Sequence, residues 1–376
     1  MPKVIIISVI TDLITDQRVH RAAMSLTKQG HKVVLVGRKL KKSLPIEKRD
    51  YKTVRFNLWF ERGFMFYATF NLRLFFFLMF NRADILLAND LDTLTANYFA
   101  ARLKNRSLVY DSHEYFTEVP ELEHRPFIKK IWKTIEQFIF PKLKYIYTVN
   151  DSIAALYAME YDKKISVVRN IPDAPQKSEN YNPVKIKNDI GIYLQKKIII
   201  LQGAGINIER GAEEAVEAMK YIDEAVLLII GGGDVMPFLK EIVQQNKLGK
   251  KVIFRDKMPF EQLLNYTRAA DVGLTLDKTT NLNYQNSLPN KLFDYIHSNV
   301  PVLGSQVTEV KKIIEQYNIG TVVENHDPEH IAEKIKYMLS DESRIMLWKK
   351  NLAFAAEELS WSNEEKKLLN VFDGLF

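Results

Sequence analysis

Short runs of apolar residues alternate with amphipathic stretches along most of the chain. In the first half the apolar runs are KVIIISV, KVVLVG, ADILLAN, SLVYD, YIYTVN and ISVVRN. Continuous apolar runs are typical of parallel strands, because helices cover both faces of a parallel sheet. The stretches between them show helical patterns over about 16–29, 91–103 and 127–140. This alternation predicts a Rossmann-like, doubly wound α/β domain over residues 1–172.

The alternation stops over residues 173–196 and then begins again. Residues 171–196 contain three prolines and many polar residues, which is typical of a linker. The pattern restarts at KIIILQG and continues through AVLLIIGGG, KVIFRD, ADVGLTL, VPVLGS and GTVVEN. We predict a second Rossmann-like domain over residues 197–360, with the two parallel sheets facing a cleft. The last helix, about 361–376, lies too far from a strand to extend the second sheet, so we expect it to pack back on the first domain.

Composition narrows the class of protein. Apolar residues make up 47% of the 376 residues, charged residues make up 26%, and there is no cysteine. The lack of cysteine excludes disulfides, thiolate catalysis and thiolate metal sites. The N-terminal MPKVIIISVITD lacks the cleavage site of a signal peptide and is interpreted as a first strand. Since no apolar run reaches the roughly 18 residues that span a bilayer, we expect a cytoplasmic protein.

Positive charge is concentrated in the first half of the chain. The first 172 residues contain 28 Lys and Arg against 17 Asp and Glu, with the highest density over 37–55. An aromatic-rich stretch, FNLWFERGFMFYATFNLRLFFFLMF, follows. Two interpretations stay open: a peripheral protein contacting an anionic membrane surface at the inner face of the cell membrane, or a solvated basic loop followed by a core helix. No nucleic-acid partner is expected, because no nucleic-acid-binding motif is present.

Ligands of parallel sheets bind beyond the carboxyl ends of the strands. After the first strand comes ITDLITDQRVH, which matches neither a dinucleotide-binding fingerprint nor a phosphate-binding P-loop. A nicotinamide enzyme and a nucleotide triphosphatase are therefore disfavoured. Thr11, Asp12 and Asp16 are candidates for the acceptor side of a cleft. Helix capping by Thr15 or Asp16 is an equally good explanation for this segment.

Two further strands of the first domain end in polar residues. Asn89 and Asp90 follow ADILLA, and Asp111 and His113 lie in the cluster LVYDSHE. A histidine among carboxylates at a strand end can bind a sugar hydroxyl or exchange a proton. A lone histidine is more often structural, but its acidic neighbours favour a functional role here.

Glycines and one arginine follow the first two strands of the second domain. LQGAGINIERG places Gly203 and Gly205 where backbone can approach a ligand closely, and Arg210 at a helix start, where it can hold phosphate. Gly232 and Gly233, in GGGD, allow a similar close approach. The alternatives are an ordinary surface arginine and a tight turn.

The segment NSLPNKLFDYIHSNVPVLGS carries the strongest site signal. Pro289 fits the first helical position, which leaves free backbone amides at Asn290 and beyond. These amides, the helix dipole and Lys291 favour a diphosphate. Asp294 lies one turn further on the same face, where it can accept hydrogen bonds from two ribose hydroxyls. The alternative is a solvated ion pair between Lys291 and Asp294. The other side chains of this helix are expected in the core: Leu292, Phe293 and Ile296.

With these residues in place, the chain resembles the glycosyltransferases of family 4, which have the GT-B fold. The segment above is similar to the donor-binding block of that family, and DQRVHRAAMSLTKQGHKVVLV, LVYDSHE, VVRNIPD and ADVGLTL resemble its other motifs in order. The resemblance implies that the donor, a nucleoside-diphosphate sugar, is bound by Asn286, Leu288, Pro289, Asn290, Lys291 and Asp294. Two positions depart from the family pattern. Asn286 replaces the first of two glutamates, and Ala204 replaces an arginine of the phosphate clamp.

The resemblance also implies a reaction. Transfer to a carbohydrate or lipid-linked hydroxyl would retain the anomeric configuration without a metal or other cofactor, in envelope polysaccharide or glycolipid synthesis. Arg210 and Lys291 would stabilise the departing diphosphate, and His113 would position the sugar. Two alternatives stay open because of the departures: a nucleotide-sugar-binding protein without transferase activity, and a GT-B-like epimerase acting on a nucleotide sugar.

Overall fold

The computed structural model describes residues 1–14, 16–172 and 181–376. The described chain forms two units, Met1–Asn170 with Ser362–Phe376, and Ile171–Trp361. Thr15, one of the two proposed capping residues, and residues 173–180 of the predicted linker lie outside the described residues. Each unit is built on one parallel sheet, so the predicted fold class of two parallel-sheet α/β domains is confirmed.

The first unit contains a seven-stranded parallel sheet in the order β3-β2-β1-β4-β5-β6-β7. Its strands are β1 (Val4–Asp12), β2 (Lys32–Lys39), β3 (Lys52–Asn57), β4 (Ile85–Asn89), β5 (Ser107–Ser112), β6 (Tyr145–Thr148) and β7 (Ser166–Val167). Its helices are α1 (Gln17–Lys28), α2 (Gly63–Phe80), α3 (Leu91–Lys104), α4 (Pro120–Glu123), α5 (Pro126–Ile139) and α6 (Asp151–Tyr161). The order reverses between β1 and β4, so the loops after these two strands lie side by side at the carboxyl edge.

The second unit contains a six-stranded parallel sheet in the order β10-β9-β8-β11-β12-β13. Its helices begin with α7 (Pro183–Asp189), α8 (Ala212–Ala218), α9 (Met236–Gln245), α10 (Phe260–Arg268) and α11 (Leu282–Gln285), and continue with α12 (Asn290–His297), α13 (Thr308–Tyr317), α14 (Pro328–Leu339) and α15 (Glu342–Glu358). Its strands are β8 (Lys197–Gly203), β9 (Ala225–Gly231), β10 (Val252–Arg255), β11 (Val272–Thr275), β12 (Val302–Gly304) and β13 (Gly320–Val322).

Side chains of β8 alternate between two hydrophobic cores, one on each face of the second sheet. Ile199 and Leu201 belong to one core, and Ile198 and Ile200 belong to the other. Successive side chains of a strand point to opposite faces, so a strand covered on both sides must be apolar throughout. This is the physical reason for the continuous apolar runs in the sequence.

The predicted linker over 173–196 needs correction in its second half. Asn182 caps α7 by accepting from the amides of Val184 and Lys185. Ile186 and Ile190 are then buried in one of the two cores of the second sheet. Residues 181–196 therefore belong to the second unit. The polar composition and Pro183 concealed a short helix, because proline is also favoured in the first turn of a helix.

The end of the chain lies on the first unit. The last helix, α16 (Trp361–Val371), begins at the boundary, and all residues after Trp361 group with the first sheet. The Glu364 carboxylate accepts a hydrogen bond from the amide of Arg169 at 2.8 Å. The ring of Phe376 stacks on His31 with 4.1 Å between ring centroids.

Candidate functional site

Loops after adjacent strands of the second unit meet at the carboxyl edge of its sheet. Because β9, β8 and β11 are neighbours, the segments that follow them are held together by main-chain hydrogen bonds. The amide of Ile206 donates to the carbonyl of Gly232 at 2.9 Å, and the amide of Lys278 donates to the carbonyl of Glu209 at 2.8 Å. This framework positions the charged side chains of the edge.

Asp277, two residues beyond the end of β11, joins the two cations that the sequence singled out. Its Oδ1 lies 3.1 Å from Nη1 of Arg210, and its Oδ2 lies 3.1 Å from Nζ of Lys291. The guanidinium of Arg210 also lies over the Tyr284 ring, 4.8 Å from its centroid. The structure therefore brings Arg210 and Lys291 to one carboxylate although 81 positions separate them in the chain.

The cluster of Arg210, Asp277 and Lys291 carries a net positive charge. Burial by itself would raise the pKa of Asp277, but the cations of Lys291 and Arg210 hold it below its usual value, so Asp277 is ionised. Two cations then share one carboxylate. The Asp277 side chain is 1% exposed, whereas Arg210 remains 29% exposed and Lys291 11% exposed. The cluster can bind a further anion through the accessible parts of both cations.

The helix that carries Lys291 begins one residue later than predicted. Pro289 occupies the N-cap position, and α12 starts at Asn290. Proline has no side-chain acceptor for the first-turn amides. The amide of Leu292 donates to the carbonyl of Pro289 at 3.1 Å, and the amides of Asn290 and Lys291 before it lie at the helix N-terminus, where an anion can be bound. The predicted core residues of this helix are confirmed as buried: Leu292, Phe293 and Ile296.

Asp294 is buried and so does not lie on a solvated face. Its Oδ2 accepts a hydrogen bond from the side-chain amide of Gln202 at 2.9 Å. Gln202 in turn accepts from the Thr267 hydroxyl at 2.7 Å. This chain of contacts fixes the orientation of the carboxylate on the inner side of α12, and its ribose contact stays a prediction.

Packing within the protein explains why a glycine is needed at some of the four positions that the sequence analysis proposed for ligand contact. A Cβ on Gly233 would lie 1.9 Å from the carbonyl oxygen of Ile206, and one on Gly232 would lie 3.0 Å from the Lys257 side chain. At Gly203 and Gly205 an added Cβ would meet only ordinary contacts. The tight-turn explanation therefore holds for Gly233, while donor contacts of all four glycines stay predictions.

The other predicted members of the donor block sit before α12. Asn286 is the C-cap of α11, and its side-chain amide donates to the carbonyl of Leu282 at 2.8 Å. Leu288 is partly buried and packs against one core of the second sheet. Asn290, the first residue of α12, is exposed. These positions place the predicted block beside the cation cluster.

In the first unit, His113 is held by carboxylates at both ring nitrogens. Nδ1 lies 3.1 Å from Oδ2 of Asp90, and Nε2 lies 3.1 Å from Oδ2 of Asp111. The main-chain amide of His113 also donates to Oδ1 of Asp90 at 2.8 Å. Nε2 is 3.2 Å from the side-chain oxygen of Asn89. The structure thus brings together the residues predicted from the ends of β4 and β5.

Arg18 completes this cluster from α1. Its Nε and Nη2 donate to the two carboxylate oxygens of Asp111 at 3.0 and 2.6 Å, and its Nη1 donates to the carbonyl of Val168 at 3.0 Å. Burial would raise the pKa of Asp111, but Arg18 and His113 lower it to about 2. Burial would also lower the pKa of His113, but Asp90 and Asp111 raise it well above its usual value. Since its pKa lies above its usual value, we expect the His113 ring, which is 21% exposed, to be protonated near neutral pH, with both ring nitrogens donating to carboxylates.

Asp90 adopts a backbone conformation that side chains disfavour. Its φ is 58° and its ψ is 166°, a region populated almost only by glycine. Although it precedes α3, its carboxylate accepts from His113 instead of capping the helix. Strain of this kind persists where surrounding contacts require it.

We expect Asp90→Gly to be more stable than Asp90→Ala by about 1–2 kcal/mol. Both changes remove the carboxylate, but only glycine releases about 1–3 kcal/mol of strain, partly offset by its more flexible unfolded chain. Urea unfolding of the two variants measures the difference. At Asp92, inside α3, we expect the opposite: Asp92→Ala should be more stable than Asp92→Gly, because helical backbone favours alanine over glycine. The same order at both positions would contradict the strained conformation.

The structure gives the remaining acceptor-side candidates local roles. Thr11 donates to Oδ2 of Asp16 at 2.7 Å, and Oδ1 of Asp16 accepts from the amide of Val19 as the N-cap of α1. Asp12 lies 3.5 Å from Arg55 and accepts from the hydroxyl of Ser43. Capping therefore explains Asp16, as the alternative interpretation stated, and sugar contacts by these three residues stay predictions.

Sequence reasoning missed Asp277, Gln202, Tyr284 and Arg18. Asp277 follows ADVGLTL directly, so the rule used for the other strand ends identifies it. Gln202 is the penultimate residue of β8 and meets the same criterion. Arg18 and Tyr284 have no such signal, because their partners lie far away in the sequence.

Two family models match the chain, one over each half. The model described as Glycosyltransferase Family 4 matches residues 16–174, and the model described as Glycosyl transferases group 1 matches residues 185–353. The chain belongs to the family 4 type of glycosyltransferases. The resemblance stated from the sequence motifs is thereby confirmed.

Individual relatives of this family 4 chain are distant. An uncharacterized glycosyltransferase of Methanocaldococcus jannaschii is 26% identical over 196 residues, which are 50% of this chain and 48% of the relative. The chain spans about half the length, or less, of the curated relatives it matches. Among solved structures, sucrose-phosphate synthase of Thermosynechococcus elongatus has a TM-score of 0.80 at 16% identity, covering 100% of this chain and 99% of that chain. Anabaena HepE in complex with UDP and glucose has a TM-score of 0.76 at 10% identity, covering 99% and 100%. These likenesses confirm the GT-B fold.

Proposed function

We propose that this protein transfers a sugar from a nucleoside-diphosphate donor to a hydroxyl acceptor with retention of anomeric configuration. Family membership supports the class of reaction. The observation that carries the proposal is the cluster of Arg210, Asp277 and Lys291 beside the N-terminus of α12. Two cations on one carboxylate, next to the amides of a helix N-terminus, suit a leaving diphosphate.

The donor is proposed to be a UDP-sugar. Anabaena HepE, which shares the fold, was solved with UDP and glucose. The diphosphate would lie between Lys291 and Arg210, and Asp294 would accept hydrogen bonds from the ribose hydroxyls. Gln202 supports this role because it already orients the Asp294 carboxylate.

The proposed step is a substitution on one face of the sugar. The bond between the anomeric carbon and the diphosphate oxygen breaks, and the acceptor oxygen forms its bond to that carbon from the same face. The acceptor proton passes to the departing diphosphate, which Lys291 and Arg210 stabilise as its negative charge grows. The residues named take no covalent part in this step, and the proposal includes no metal or other cofactor.

His113 is proposed to position substrate rather than to remove a proton. A general base must be unprotonated at the working pH. Asp90 and Asp111 raise the pKa of His113 well above its usual value, so its ring is protonated near neutral pH. This supports a proton path to the diphosphate.

The acceptor is proposed to be a carbohydrate or lipid-linked hydroxyl in envelope polysaccharide or glycolipid synthesis, at the inner face of the cell membrane. The excess of Lys and Arg in the first 172 residues supports an acceptor presented at an anionic surface. The acceptor-side cluster around His113 lies in the same unit.

Thermal unfolding with UDP, GDP, ADP and CMP, with and without a chelator, tests the donor proposal. We expect UDP to stabilise the protein most, by about 2.7 kcal/mol at a hundredfold excess over its dissociation constant. The chelator should have no effect on that shift. Stabilisation by none of the diphosphates, or only with a divalent metal, would contradict the proposed donor site.

Incubation with UDP-sugars then separates the transferase from the two alternatives. A transferase is expected to hydrolyse its donor slowly without an acceptor. Binding without hydrolysis or transfer would favour a nucleotide-sugar-binding protein. A change in the donor's sugar stereochemistry without acceptor would favour an epimerase.

A further inference from the structure

The helix α2 of the first unit is apolar on the side that faces away from the sheet. Among the described residues it is the one helix that is long and apolar enough, by length and composition alone, to cross a membrane, and 22% of its 18 residues are buried. The helix is not an uninterrupted apolar run, because Thr69, Asn71 and Arg73 lie among its Phe and Leu residues. One stripe packs on the sheet: Phe66, Phe70, Leu74 and Leu78. On the opposite side Met65, Leu72 and Phe76 are 48, 59 and 49% exposed.

Spanning the bilayer does not fit the position of α2. It connects β3 to β4, which belong to the same sheet. Crossing a membrane would pull its buried stripe out of the core. An apolar helix that packs on one side and is exposed on the other instead lies along a surface.

Neighbouring helices extend the exposed apolar face. α3 packs between α2 and α5, and the rings of Tyr67 on α2 and Trp132 on α5 meet at 5.3 Å. Phe99 on α3 is 44% exposed, and Phe127 and Phe138 on α5 are 76 and 52% exposed. Single exposed apolar residues are ordinary, but a cluster on three adjacent helices indicates a docking surface. We name these three helices the α2–α3–α5 layer.

Charge on this layer identifies the class of partner. Its three helices contain two acidic residues, Asp92 and Glu136, and both are buried. Its exposed charges are cations: Arg73, Arg102 and Lys130 on the helices, with Arg62 before α2 and Lys142 after α5. The exposed acids nearby, Glu121 and Glu123, lie on α4, which precedes α5. On the three helices themselves most exposed side chains are apolar or positively charged and none is acidic, a combination that complements an anionic lipid surface. A second copy of the chain would bring like charges together.

We propose that the outer face of the α2–α3–α5 layer docks on an anionic lipid bilayer. Leu72 and Phe76 enter the boundary between head groups and acyl chains, and the flanking cations contact the head groups. This deepens the proposed function, on which it rests for the identity of the acceptor, by naming the surface where a lipid-linked hydroxyl is met. Docking itself requires no sugar transfer.

Co-sedimentation of the full chain with vesicles tests this docking. We expect binding to phosphatidylcholine vesicles that contain about 30% phosphatidylglycerol, little binding to pure phosphatidylcholine, and loss of most binding between about 0.1 M and 1 M salt. The double change Leu72→Ser with Phe76→Ser should lower partitioning about tenfold or more. The triple change of Arg62, Arg102 and Lys130 to Gln should have an effect of similar size.

The matched control is Met346→Ser with Phe354→Ser on α15 of the second unit, where the side chains are 65 and 57% exposed. It should bind vesicles like the wild type. No binding by the wild type at low salt, or equal loss in the control, would overturn the proposal. So would a wild-type dimer, by light scattering, that the Leu72 and Phe76 changes dissociate while no form binds vesicles.

The UDP-induced thermal shift, recorded on the same samples, separates the two proposals. A shift retained by the Leu72 and Phe76 variant shows that reduced partitioning is not caused by misfolding. Vesicle binding without any nucleotide-induced shift would refute the donor site alone. A nucleotide-induced shift without vesicle binding would refute the docking alone.

Discussion

Replacing Lys291 with alanine is expected to lower kcat by about 10²- to 10³-fold, or roughly 2.7–4 kcal/mol of transition-state stabilisation. Its ammonium lies 3.1 Å from Asp277 on the first turn of α12, and the proposed leaving diphosphate gains negative charge beside it. Affinity for the intact UDP-sugar should fall less, by about 1–3 kcal/mol, because its diphosphate has not yet gained charge at the breaking bond. Initial rates with saturating donor, together with titration of the UDP-sugar without acceptor, measure the two effects.

Two variants sharpen the Lys291 test. Lys291→Arg keeps a cation near Asp277 and should recover part of the lost rate. Lys311→Ala removes the same side chain from α13, where it is 41% exposed, and should leave the rate unchanged. A variant that loses affinity for the UDP-sugar and keeps its kcat would show that Lys291 stabilises the ground state and the transition state equally. Unchanged rate and affinity would refute its role altogether.

Replacing Arg18 with methionine is expected to cost about 3–5 kcal/mol of unfolding free energy. Methionine keeps much of the apolar volume but removes both hydrogen bonds to Asp111, leaving a buried carboxylate with one cation less. Whole domains are stable by about 5–15 kcal/mol, so the change should be visible as a much lower urea midpoint. Because Asp111 holds His113, acceptor KM should also rise.

The pH dependence gives this prediction a second readout. The pKa of Asp111 is held at about 2 in the native state, below the value of about 3.9 for an unperturbed aspartate. A lowered pKa stabilises the native state above about pH 4, and the contribution is lost as pH falls toward 2. The difference in unfolding free energy between the wild type and Arg18→Met should therefore become smaller as pH falls from about 4 to about 2. Arg21→Met, which removes a hydrogen bond to Asn170 from the same helix, should cost only about 1 kcal/mol and show no such narrowing. A constant difference down to pH 2 would contradict the ion pair.

The sequence by itself determined the two parallel sheets and part of the site. Strands covered on both faces must be apolar throughout, so KVIIISV and KIIILQG could be recognised without coordinates. Lys291 and His113 could be found because parallel strands present ligand-binding loops at one edge. The helix α7 could not, since prolines and polar residues concealed the two isoleucines that it buries.

Only the tertiary structure decided which charges meet. Arg18 and Asp111 are 93 positions apart, and no local pattern links a residue of α1 to the end of β5. Asp277 is part of the site because β11 lies next to β8 in the sheet. The segment after β8 then supplies Arg210, the first turn of α12 supplies Lys291, and both reach the Asp277 carboxylate. The exposed side of α2 was hidden for the same reason: hydropathy records that a side chain is apolar, whereas burial depends on which neighbours the fold places against it.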